Sequence, residues 1–104
     1  MLFVTYWELN EDHAVDARIQ AARRLTEGGI FPPAGVNVLR WDATPDGWGI
    51  LVFEADTAAA ATHALNLWRT AAAGFFRLTR TAPAVTVQEA IQLAGDELRA
   101  LGNA

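Results

Sequence analysis

The chain has 104 residues, 52% of them hydrophobic, and a net charge of −4 at neutral pH. That length suits one domain, 1–104, around a single core, and the apolar fraction excludes a disordered chain. Cysteine, serine and lysine are all absent, which excludes disulfides, thiolate metal sites, Ser or Cys nucleophiles and Schiff-base lysines.

Four strand-like runs punctuate the chain. The first, Leu2–Leu9, reads LFVTYWEL. Asn10–Asp12 then offers N-cap candidates for a helix from His13 to Thr26, with Val15, Ile19, Ala22 and Leu25 at helical spacing. Gly28–Gly29 ends it, and the stiff segment Ile30–Gly35 leads into a second strand, Val36–Ala43. Thr44-Pro45-Asp46-Gly47 is a hairpin signal joining it to Trp48–Ala55. Asp56 or Thr57 caps a second helix, Ala58–Ala72, with Ala61, Leu65, Trp68 and Ala72 on its buried side. Gly74 breaks that helix, Phe75–Ala82 follows as a strand, and Pro83 stops it. Thr86 and Glu89 form a capping box that opens a third helix, running to Leu101.

The order β-α-β-β-α-β plus a C-terminal helix predicts an α+β, ferredoxin-like plan: a four-stranded antiparallel sheet with two helices on one face. All four strands carry large apolar side chains on both faces, whereas a half-solvated strand alternates. Thr5, Trp7, Leu39, Trp41, Leu51 and Phe53 are in phase to face the helices. Leu2, Val4, Tyr6, Val36, Val38, Ile50 and Val52 are in phase to face away. The helices cover one face, so the other is expected to meet the same sheet of a second copy in a homodimer.

The opening LFVTYW, the EDH before helix one, the TEGGIFPPAGV connection, LRW in strand two, GILVFEAD and Trp68 together resemble the dimeric α+β-barrel superfamily. Within it the chain is similar to a family of short bacterial proteins of unknown function. The superfamily includes cofactor-free monooxygenases, muconolactone-type isomerases, cyclases and haem-dependent peroxidases. The resemblance implies a pocket between sheet and helices. Relatives often have a His after the strand-two Trp where this chain has Asp42, a departure that bears on any two-His site.

His13, at the mouth of that space, is the candidate proton-transfer group, since imidazole titrates near neutrality. A solvated first-turn residue is the alternative. Thr5 is the candidate orienting hydroxyl. Trp7, Trp41, Phe53 and Trp68 are candidate walls for a flat apolar ligand, against the alternative that they fill the core. Glu8, Arg40, Asp42 and Glu54, together with Tyr6, fall on the opposite phase, where Arg–carboxylate pairs across a dimer are expected. His13 and His63 are the only histidines, without metal-ligand spacing, so no metal and no cofactor is expected. All eight basic residues are arginines. They are scattered through an acidic chain, so neither nucleic acid nor an anionic membrane is expected as partner. No secretory or membrane-spanning pattern is seen at the start, which favours the cytoplasm. The function these residues suggest is a small cofactor-independent cyclase, isomerase or monooxygenase acting on an apolar aromatic or polyketide-like metabolite. The alternative is a non-catalytic binding or interaction module on the same dimeric barrel.

Overall fold

A computed structural model describes residues 1–102. The elements are β1 (Leu2–Leu9), α1 (Val15–Thr26), β2 (Val36–Ala43), β3 (Trp48–Ala55), α2 (Ala58–Ala71), β4 (Phe76–Ala84) and α3 (Val87–Ala100). The strands form one antiparallel sheet in the order β2-β3-β1-β4. This is the ferredoxin-like plan with an added C-terminal helix. The β2–β3 hairpin turns at Gly47, whose φ of 76° is open to glycine at little cost.

One face of the sheet carries the core. Phe3, Thr5 and Trp7 from β1 and Leu51, Phe53 and Ala55 from β3 alternate inward, and all are buried. Phe53 is 0% exposed and stacks on Phe3 with ring centroids 5.4 Å apart. Ala61, Ala64, Leu65 and Trp68 form the buried stripe of α2, whose start is capped by Thr57 accepting from the Ala60 N–H. Small residues on that stripe let the helix approach the large rings of the sheet closely.

Helix α1 differs from its sequence reading. No side chain caps it; Ala14 occupies the cap position, and Asn10 instead accepts from the Asp12 N–H in a local turn. Its buried positions are Ala21 and Leu25, while Val15 and Ile19 are exposed. The inward stripe is therefore shorter than the apolar spacing suggests.

Strand β2 corrects a second expectation. Val38 pairs with Phe53 but Arg40 pairs with the next residue, Val52, so Leu39 is an extra residue in a bulge. A bulge reverses the in–out alternation on one side of itself. Val36 and Val38 accordingly pack on the core rather than facing away, and Leu39 is 52% exposed rather than under the helices. Trp41, beyond the bulge and opposite Leu51, keeps its helix-facing phase. Strand β4 runs on to Ala84 through Pro83, because β4 is an edge strand and its missing N–H interrupts no interior ladder.

Helix α3 stands apart. Thr86 Oγ1 accepts from the Glu89 N–H and its hydroxyl meets the Glu89 carboxylate, so the capping pair is present. Yet α3 buries no residue. The radius of gyration is 17.0 Å and the longest dimension 58 Å, against about 13 Å for the radius of a compact chain of this size. The excess length reflects a helix that continues away from the sheet.

Candidate functional site

An apolar cavity of about 270 Å³ opens between the sheet and α1. The sheet supplies Trp7, Leu9, Trp41, Ala43 and Phe76; α1 supplies Ala22 and Thr26; Trp68 and Phe75 complete the wall. The register explains how Trp7 fits among the lining residues. Trp7 pairs with Gly49, and a Cβ at Gly49 would sit 2.2 Å from Trp7 Cζ2 and 2.1 Å from the Asp42 carbonyl oxygen. Only glycine admits the indole there.

The walls are braced by ring contacts. Trp41 and Trp68 meet edge to face at 5.2 Å, and Phe31 packs against both at 5.3 and 5.4 Å. Trp68 continues to Phe75 and Phe76, and Phe76 to Trp7 at 5.9 Å. Such edge contacts each contribute about 0.5–1.5 kcal/mol beyond burial and hold ring orientation. Phe31 is delivered by the proline-rich connection, whose Phe31–Pro32 peptide is cis.

Polar atoms are few. The Thr26 hydroxyl donates to the Ala22 carbonyl at 2.8 Å. Trp7 Nε1 is buried and has no acceptor among the described residues. No titratable side chain lines the cavity.

The other expected site residues lie elsewhere. Phe53 is core beneath the helices and does not reach the cavity. Thr5 is 1% exposed, and its hydroxyl is engaged with that of Thr81 at 2.8 Å on the β4 side. His13 lines a separate hollow of about 360 Å³ with Ala17, Gln20, Ala21 and Arg24 of α1 and Ala71 and Ala72. At about 100° per residue, those α1 positions lie on the side opposite Ala22 and Thr26. The structure thus gathers Trp7, Trp41 and Trp68 and separates them from His13, Thr5 and Phe53. Phe75 and Phe76, which strand phase alone does not bring to the pocket, complete the site because Gly74 turns the chain back and sets both rings against Trp68. Among the described residues no cluster of three or more His, Asp or Glu side chains is arranged for a metal.

A polar hollow of about 310 Å³ lies on the opposite face, lined in part by Tyr6, Glu8, Asp46, Trp48 and Arg77. Two of its charges partner each other: the Tyr6 hydroxyl donates to Glu8 at 2.7 Å, and Arg77 binds the other Glu8 oxygen. The Tyr6 hydrogen bond, then the Arg77 guanidinium, holds the Glu8 carboxyl below its usual range, and Glu8 raises Tyr6 in return. Arg40 likewise pairs with Asp42. These Arg–carboxylate pairs, expected across a dimer, close within the chain. The aromatic cavity is the stronger candidate for an apolar ligand because its lining is almost wholly apolar.

The family model for a domain of unknown function, DUF3303, matches residues 1–98. The chain belongs to this DUF3303 family. No curated protein matches it. Two solved structures share the fold of this DUF3303 domain. One is a microcompartments protein from Desulfitobacterium hafniense DCB, with TM-score 0.51 and 23% identity over 85% of the chain. The other, from Nitrosomonas europaea, is provisionally named an antibiotic biosynthesis monooxygenase, with TM-score 0.50 and 18% identity over 83% of the chain. The chain spans 44% of the first structure and the match covers 97% of the second. No helix among the described residues is long and apolar enough to cross a membrane.

Proposed function

We propose that this domain binds a small, flat, apolar molecule in the cavity walled by Trp7, Trp41 and Trp68. The observation that carries the reading is a cavity of about 270 Å³ whose lining is almost wholly apolar and aromatic. An apolar cavity of about 150 Å³ holds a single benzene, so this one has the size for two fused rings. Burial of the ligand's apolar surface supplies the affinity, and the ring faces select planar shape.

Naphthalene is the direct probe. Binding is expected in the wild type and is expected to be lost in Ala43→Phe, which fills the cavity mouth from an exposed position on edge strand β2. Equal binding by both proteins contradicts the reading.

An enzymatic role of the cofactor-independent monooxygenase, cyclase or isomerase kind is favoured by one observation, the fold shared with the Nitrosomonas europaea protein. The absence of any titratable group from the cavity lining limits the protein's part in such chemistry to excluding water and orienting a reactive ligand. His13 and Thr5 enter only as groups acting from outside the cavity. With a turned-over compound in hand, His13→Ala and Thr5→Val rates below wild type support that role, and unchanged rates remove it.

The partner for the outer sheet face is a second copy, joined sheet to sheet. Val4, Ile50, Val52 and Leu78 line that face with no helix over it. A stable monomer in micromolar sedimentation would contradict this.

A further inference from the structure

Helix α3 carries an apolar seam that no described residue of its own chain covers. Val87, Ile91, Ala94, Leu98 and Leu101 recur at spacings of 4, 3, 4 and 3 residues, the interval of a helix that packs lengthwise against a partner. Val87 is 77% and Ile91 68% exposed, and no residue of α3 is buried. A helix of 14 residues is marginal alone in water, so the seam calls for a surface to pack on.

We propose that α3 is an arm that docks on a second copy of this chain, adding to the sheet-to-sheet contact on which the inference rests. Size is the first argument. Four strands of eight or nine residues present a face of about 500 Å², short of the roughly 800 Å² per partner of a standard stable interface. Helix α3 adds about 200 Å², which brings the surface near that size. Symmetry is the second argument. One chain supplies both an uncovered sheet face and an uncovered helix, and a two-fold contact covers both pairs at once. Charge is the third. Glu97 adjoins the seam and Arg80 lies on the outer face of β4, and neither has an opposite charge within 4.0 Å among the described residues.

The test is sedimentation velocity on the full chain over a micromolar concentration range. Ile91→Glu/Leu98→Glu alters only exposed positions, so the domain's circular dichroism and melting are expected to stay as in the monomeric wild type. Its dimerisation constant is expected to weaken roughly 100-fold or more. Val52→Glu, on the sheet face, is expected to abolish the dimer by itself. A double variant that dimerises as the wild type does overturns the arm while leaving the sheet contact standing. A wild type that stays monomeric, whether α3 folds back or awaits a different protein, overturns both.

Discussion

The two faces of one sheet differ in what they leave unsatisfied. On the helix side, Phe3, Thr5, Trp7, Leu51 and Phe53 are buried by α1 and α2, and even the lone hydroxyl finds Thr81. On the outer side Arg40–Asp42 and Arg77–Glu8 pair within the chain, but Val4, Ile50, Val52 and Leu78 have no helix over them. The same strands therefore build a closed core with an apolar cavity open at its edge, and an outer surface that no helix covers. The lesson is that ion pairs close locally while apolar area does not. Neighbouring residues complete an Arg–carboxylate pair, but only another layer buries a sheet face.

The contrast predicts a steep gradient of mutational cost. Phe53→Ala empties the most buried position and is expected to cost about 3–5 kcal/mol in denaturant unfolding. Gly49→Ala forces Trp7 and the Asp42 carbonyl apart and is expected to cost about 1–3 kcal/mol while spoiling the cavity lining. Thr5→Val removes one hydroxyl pair whose partner Thr81 can turn to water, for about 1 kcal/mol. On the open side, Val52→Glu should leave the monomer's unfolding energy within about 0.5 kcal/mol while abolishing the dimer. A loss comparable to that of Phe53→Ala would mean that the outer face is packed within the chain.

The smallest effect concerns pH. Because Glu8 is held below its ordinary value of 4.5, its pairing stabilises the fold above that value. This contribution is lost as pH falls through the lowered one. Glu8→Gln is expected to lower the melting temperature slightly at neutral pH, where the pairing is in force, and to match the wild type at the acid end, so that the acid limb flattens, as read from melting curves between pH 3 and 7. The pair is solvent-screened, so a large effect at neutral pH would count against a surface role.

Much of the fold was legible in sequence because it is written in short-range signals: the Thr44–Gly47 turn, the Thr57 and Thr86 caps, and the doubled apolar phase of β1 and β3. The bulge at Leu39 was not, since alternation carries no mark of an inserted residue when Val36, Val38, Leu39 and Trp41 are all apolar. Of the site, Trp7, Trp41 and Trp68 could be anticipated from ring size and phase. The separation of His13 could not, because it depends on the turn between Leu9 and Val15 and on the rotation of α1. Phe53 follows the same phase as Trp7, yet it lies deeper along the sheet, where α2 leaves no space.

Tryptophan placement allows the central claim to be tested in one spectrum. Trp7, Trp41 and Trp68 line the cavity, and Trp48 lies on the outer face against Tyr6. In an indole N–H spectrum titrated with naphthalene, the first three resonances are expected to move together and saturate at one molecule per chain. The Trp48 resonance is expected to stay still. No movement, or movement of Trp48 alone, would contradict a ligand site on the closed face of the sheet.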